Sequence, residues 1–96
     1  MTQEQILSYL SANKERFKES YHVEKIGIFG SYARNQSTDD SDIDIVVNLS
    51  KSTMFGLVGV KLDIEEHFNT HVDIVQLRDR MNPVLKKRIE QEALYV

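Results

Sequence analysis

The sequence predicts an α+β fold in which a small mixed β-sheet has helices packed on one face. Three long segments carry apolar residues at helical spacing, and three short runs are rich in β-branched residues. Only a polar loop separates the first two of these runs. Parallel strands need a long crossover connection, usually a helix, so this loop implies a mixed rather than a purely parallel sheet.

Length and composition bound the possible functions. The 96 residues predict one domain, residues 1–96, with an ordinary small core and no room for a second lobe. A net charge of −3 argues against direct nucleic-acid binding, and the lack of cysteine excludes disulfides and thiolate metal sites. No apolar run approaches the roughly 20 residues of a membrane-spanning helix, and no signal peptide is evident. We therefore expect a cytoplasmic protein without membrane association.

The first half of the chain predicts a helix, a strand, a helical turn and a loop. Residues 2–19 form the helix, because apolar side chains recur on one broad face and Thr2 can cap it. Val23–Phe29 is the first strand, which the following glycine ends. Residues 31–34 then form a short helical turn, and residues 35–41 a polar loop.

The second half predicts two strands that alternate with two helices. Residues 42–47 form the second strand and residues 71–77 the third. Residues 53–68 form the helix between them, with enough apolar side chains to cover the sheet. Pro83 begins a closing helix, since the first turn of a helix tolerates proline. The packing side of that helix consists of Val84, Leu85, Ile89, Ala93 and Leu94.

The most informative motif lies at the ends of the first two strands. Gly30-Ser31 follows the first strand, and Asp42-Ile43-Asp44 begins the second. Glycine allows a phosphate to approach the main-chain N–H groups closely. Side chains alternate along a strand, so both aspartates project to one face. Carboxylates together with phosphate oxygens suit Mg²⁺, and the motif therefore predicts a nucleotide enzyme.

Gly30-Ser31, ten intervening residues and Asp42-x-Asp44 resemble the signature of the DNA polymerase β-like nucleotidyltransferase superfamily. The chain also resembles the minimal nucleotidyltransferases, because it is short and contains the sequence Gly-Ser-Tyr-Ala-Arg followed by Ser-Asp-Ile-Asp-Ile-Val-Val. Several of these act as antitoxins of a helical HEPN ribonuclease in HEPN/MNT pairs. The sequence departs from the commonest family wording after the arginine, where Asn35-Gln36 replace glycine and an acidic residue.

The resemblance implies a polymerase β-like nucleotidyltransferase fold, with Asp73 on a strand beside residues 42–47. Asp42, Asp44 and Asp73 would then hold Mg²⁺, with two ions expected, and Asp73 would promote deprotonation of an acceptor hydroxyl. Gly30 and Ser31 would hold the phosphates of ATP. The alternatives are turn residues for Asp42 and Asp44, and an exposed strand residue for Asp73.

Two interpretations of Arg34 stay open. It either neutralises the triphosphate charge or forms an ion pair with an aspartate of the loop. The basic cluster Lys86, Lys87 and Arg88 is either a solvated helix face or a surface for an acidic partner.

Other motifs predict less. Asp40-x-Asp42-x-Asp44 begins like a calcium loop, but Ile45 replaces the required glycine and Lys51 the glutamate. His67 and His71 have helical i, i+4 spacing, yet we expect the helix to end between them, which argues against a metal role for the pair.

The resemblance implies transfer of AMP from ATP to a hydroxyl, with a tyrosine of a HEPN-type toxin as acceptor in a hetero-oligomer. Two alternatives stay open. A non-catalytic antitoxin would neutralise its partner by binding alone, and an antibiotic nucleotidyltransferase would modify a small molecule. The lack of a second domain that could enclose a small acceptor argues against the latter.

Overall fold

The computed structural model describes residues 1–96 and contains four helices and four strands. In chain order these are α1 (Gln3–Tyr21), β1 (Val23–Phe29), α2 (Gly30–Ala33), β2 (Ile43–Leu49), α3 (Met54–Phe68), β3 (Val72–Gln76), α4 (Pro83–Glu92) and β4 (Leu94–Tyr95). The strands form one sheet in the order β3-β2-β1-β4. β1 is antiparallel to β2 and β4, whereas β2 and β3 are parallel. The predicted mixed sheet and α+β class are therefore confirmed.

Side-chain caps explain where the long helices begin. The Thr2 hydroxyl accepts a hydrogen bond from the Gln5 N–H, and the Gln5 side chain accepts one from the Thr2 N–H, which completes a capping box. The Thr53 hydroxyl caps α3. The Asn82 side chain caps α4, with Pro83 in its first turn. No helix is long and apolar enough to cross a membrane.

The end of the chain differs from the sequence prediction. Leu94 was expected on the closing helix, but α4 ends at Glu92 and the backbone of Ala93 is extended. Leu94 and Tyr95 then pair with β1. Gly27 permits this close pairing, because a Cβ atom there would lie 2.5 Å from the carbonyl oxygen of Leu94. A strand of two residues is too short to produce a recognisable alternation in the sequence.

One face of the sheet packs against α1 and α3. Ile43, Ile45 and Val47 of β2 point to this side and are fully buried. Since neighbouring residues of a strand face opposite ways, the same alternation turns Asp44 to the other face. The helices contribute buried residues to this core, namely Ile6, Leu10, Phe17, Val60 and Ile64.

The expectation of helices on one face holds for α1 and α3 but not for α4. Ile89 of α4 packs with Phe29 and Val46 in a second apolar cluster. Val46 lies between two residues that face the first core, so this cluster occupies the opposite face. α4 thus covers the middle of the face that carries Asp44, while Asp42 and Asp73 at its edge stay exposed.

The sequence suggested that the apolar residues of α3 cover the sheet, but only some of them do. Gly56, Val60 and Ile64, spaced four apart, are the buried ones. The side chain of Phe55 is 74% exposed and that of Leu62 is 54% exposed. Their neighbours Met54 and Val58 are exposed as well. The helix is apolar around most of its circumference, so the sequence pattern could not show which stripe faces the core.

Candidate active site

Gly30 and Asp44 meet where β1 ends beside β2. Phe29 is the register partner of Asp44, and the next residue, Gly30, begins α2 with a φ of +74°. A Cβ atom on Gly30 would overlap the carboxylate of Asp44, so both the backbone angle and the space require glycine. Tyr32 is buried and anchors α2 in the core, whereas Ser31 is partly exposed.

Asp44 and Asp73 are brought together by the parallel pairing of β2 and β3. They are direct register partners on adjacent strands. Aligned residues of neighbouring strands project to the same face, so the two carboxylates share the face opposite α1 and α3. Asp42 lies just before β2, not within it as expected, and is exposed.

A histidine joins two of the aspartates. Nδ1 of His71 lies 3.4 Å from Oδ2 of Asp42 and 3.8 Å from Oδ1 of Asp73. One donor atom from each of these three residues lies within 4.8 Å of the others. We expected no metal role for the pair His67 and His71. The helix does end between them, at Phe68, yet His71 precedes Asp73 by two residues and so shares its side of the strand.

Asp44 is the aspartate whose ionisation the fold disfavours. Burial raises the pKa of Asp44, and the carboxylates of Asp73 and Asp42 raise it further. The positive charges of Arg88 and Arg34 oppose this shift in the pKa of Asp44. Proximity of several carboxylates is unfavourable without a cation, which is the electrostatic pattern of a site that binds one.

Arg34 forms an ion pair, but its partner is Glu92 of α4 and not an aspartate of the loop. Nη1 of Arg34 donates to both carboxylate oxygens of Glu92 at 3.0 Å. Glu92 also accepts a hydrogen bond from the N–H of Gly30 at 3.2 Å, and Nε of Arg88 lies 4.0 Å away. Glu92 had no assigned role in the sequence prediction, and Arg88 was considered only as part of the basic cluster, because nothing local connects α4 with the turn after β1.

The basic cluster of α4 therefore does not act as a unit. Arg88 lies near Glu92 and opposes the rise in the pKa of Asp44, whereas Lys86 and Lys87 form no ion pair. The glycines of α3 serve packing, as a Cβ atom on Gly59 would overlap the ring of Tyr21.

Residues 4–96 match the family model described as polymerase beta, nucleotidyltransferase. A relative in Methanocaldococcus jannaschii, named a protein adenylyltransferase, is 34% identical over 99% of this chain and 98% of its own length. The protein adenylyltransferase MntA of Thermococcus cleftensis is 31% identical, over 100% of this chain and 97% of its own length.

Solved structures agree with this relationship. The structure of a minimal nucleotidyltransferase superposes with a TM-score of 0.79 at 27% identity and covers 98% of this chain and 95% of its own. A toxin–antitoxin crystal structure with AMP-PNP shares the fold, with a TM-score of 0.70 at 22% identity over 99% of this chain and 72% of its own. The fold and family that the Gly-Ser and Asp-x-Asp motif indicated are confirmed: the chain belongs to the polymerase β nucleotidyltransferase family.

Proposed function

We propose that this protein is a metal-dependent protein adenylyltransferase that moves AMP from ATP onto a hydroxyl of a partner HEPN-type toxin, with tyrosine as the favoured acceptor. The relatives named protein adenylyltransferases support the reaction. A tri-AMPylated HEPN toxin in complex with an MNT antitoxin is among the structures that share the fold. In this proposal residues 1–96 act as a single minimal nucleotidyltransferase domain, in the cytoplasm, within a hetero-oligomer.

The residues present fit a divalent metal. Asp42, Asp44 and Asp73 offer hard oxygen donors on one open face, and the donor atoms of Asp42 and Asp73 are within ligating reach of a common point. We assign these three aspartates to Mg²⁺, with two ions as the expected number. Bound Mg²⁺ would neutralise phosphate charge and stabilise the oxygens of an in-line displacement.

The chain itself would bind and orient the nucleotide. The main-chain N–H groups of Gly30 and Ser31 and the guanidinium of Arg34 would receive the β- and γ-phosphates. The acceptor oxygen attacks the α-phosphorus of ATP, the bond from that phosphorus to the bridging oxygen breaks, and pyrophosphate leaves. Asp73, which is exposed, takes up the acceptor proton or passes it to solvent.

The observation that carries this proposal is the close approach of three elements, namely the turn after β1 and the starts of β2 and β3. Asp44 touches the turn at Gly30 and is aligned with Asp73. Nucleotidyl transfer requires a phosphate-binding turn next to a pair of aligned carboxylates. A module that only binds a partner needs neither.

The test combines the chain with ATP, MgCl₂ and the toxin-type protein that co-purifies with it, and measures the intact mass of each component. We expect the partner to gain AMP with the wild-type chain and not with the Asp42→Ala/Asp44→Ala variant. An equal gain with that variant, or no gain with wild type, rejects the enzymatic proposal. If the variant still binds the partner and protects cells from it without any AMP transfer, the chain is instead a non-catalytic antitoxin.

A further inference from the structure

His71 introduces a nitrogen donor into an otherwise acidic cluster. Its Nδ1 atom lies 3.4 Å from Asp42 and 3.8 Å from Asp73, and the three donor atoms fall within 4.8 Å of one another. These residues come from two separate segments of the chain, since Asp42 immediately precedes β2 whereas His71 immediately precedes β3 and Asp73 lies in β3. The cluster is thus a mixed nitrogen and oxygen donor set that folding assembles.

The backbone on which these side chains stand is fixed by the sheet. The N–H of Ile43 donates to the carbonyl oxygen of His71 at 3.0 Å, which ties the residue after Asp42 to His71 itself. Asp73 follows in the β2–β3 register, opposite Asp44. Asp73 lies on a strand, and Asp42 and His71 each immediately precede one, so the sheet positions the backbone of all three residues.

The spacing is compatible with a single ion. Two ligands at right angles, each about 2.1 Å from an ion, lie about 3.0 Å apart, and two opposite ligands lie about 4.2 Å apart. The two distances from His71 exceed the right-angle distance, and the largest separation exceeds the distance between opposite ligands, in each case by about 1 Å or less. Rotation of the exposed side chains can supply shifts of this size.

We propose that His71 is a metal ligand together with Asp42 and Asp73, and that its imidazole shifts the preference of this site from Mg²⁺ toward a transition-metal ion such as Mn²⁺. Mg²⁺ is a hard ion that takes oxygen ligands, whereas imidazole suits first-row transition metals. The inference rests on the proposed function for the roles of Asp42 and Asp73, and it adds the nitrogen donor and its effect on metal choice.

An ion pair is the competing explanation. A protonated His71 between two carboxylates would itself be the neutralising cation, and it would have to leave before a metal enters. The two roles predict opposite effects when the imidazole is removed. Loss of a ligand weakens binding of Mn²⁺, whereas loss of a competing cation strengthens binding of Mn²⁺ and Mg²⁺ alike.

The experiment titrates the full chain with MnCl₂, following free Mn²⁺ by electron paramagnetic resonance, and with MgCl₂ by calorimetry. Both titrations are repeated with a non-hydrolysable ATP analogue bound. The variants are His71→Ala, His67→Ala and Asp42→Asn. His67 is a matched control because it is also an exposed histidine, but it stacks on Tyr9 at the end of α3.

We expect His71→Ala to weaken Mn²⁺ binding at least about tenfold, the loss that even outer-sphere partners of a metal commonly cause, and to change Mg²⁺ binding far less. His67→Ala should match wild type, and Asp42→Asn should weaken both ions. Unchanged Mn²⁺ binding in His71→Ala, or tighter binding of both ions, overturns the inference. If Asp42→Asn still weakens both ions and wild type transfers AMP, the proposed function stands without it.

Discussion

At the scale of single residues, the site depends on a contact between two positions fourteen residues apart in the sequence. The left-handed backbone of Gly30 leaves room for the carboxylate of Asp44. The motif predicted both residues, because glycine after a strand and alternating aspartates are visible in sequence. Their mutual contact was not predictable, since it depends on the antiparallel register that sets Phe29 opposite Asp44.

Replacement of Gly30 by alanine should cost both stability and activity. A φ of +74° costs an L-residue roughly 1–2 kcal/mol, and the added methyl group also displaces Asp44. Urea unfolding should therefore show a loss of at least about 1 kcal/mol, with AMP transfer abolished. Ser31→Ala, which keeps the backbone N–H groups, should stay within about 0.5 kcal/mol of wild type. Full activity in Gly30→Ala would contradict the tight fit seen here.

Asp44→Asn should abolish transfer yet raise the thermal midpoint of unfolding. Burial and the neighbouring carboxylates raise the pKa of Asp44, so its ionised form is less favourable in the folded than in the unfolded state. That penalty is complete above the folded pKa and vanishes below the unfolded pKa. The gain in midpoint over wild type should thus be largest near neutral pH and shrink as the pH falls. A lower midpoint in Asp44→Asn at neutral pH would be inconsistent with this electrostatic account.

At the scale of elements, α4 closes one side of the site by way of Glu92. The carboxylate of Glu92 accepts hydrogen bonds from Arg34 and from the N–H of Gly30, two groups assigned here to the triphosphate. The approach of α4 to α2 follows from the apolar packing of Ile89 against Phe29 and Val46. The amphipathic pattern predicted the helix, but not which surface it would meet.

Glu92→Gln should lower the free energy of unfolding by about 1 kcal/mol, because it removes a partly exposed charged pair. It should also tighten binding of a non-hydrolysable ATP analogue, since the carboxylate no longer competes for Arg34 and Gly30. Calorimetry measures this, and Glu90→Gln on the exposed side of the same helix is the control. Weaker binding in Glu92→Gln would show that Glu92 orients Arg34 for the nucleotide and does not compete with it.

At the scale of the whole molecule, the sheet separates stability from chemistry. The face toward α1 and α3 holds the larger apolar core, and the edge of the other face holds the charged groups. Hydrophobic periodicity predicted this division in β2, where Ile43, Ile45 and Val47 alternate with polar Asp44 and with Val46, which packs under α4. It failed for α3, because apolar residues lie on both sides of that helix and only tertiary packing selects one.

Two substitutions in α3, two residues apart in sequence, test this division. Ile64 is fully buried, whereas Leu62 is 54% exposed. Ile64→Ala should lower the free energy of unfolding by about 2–5 kcal/mol, the usual cost of truncating a buried aliphatic residue. Leu62→Ala should change it by no more than about 0.5 kcal/mol. Chemical denaturation measures both, and equal losses would mean that Leu62 is covered in solution.

The parallel register of β2 and β3 has a consequence for how such a chain can diverge. A slip of one residue would set Val72 or Ile74 opposite Asp44 in place of Asp73. An insertion or deletion within either strand would therefore move Asp73 out of line with Asp44, whereas a change of length in a turn that flanks α3 leaves this register intact. The exposed residues of α3 can likewise change without disturbing the alignment of the carboxylates.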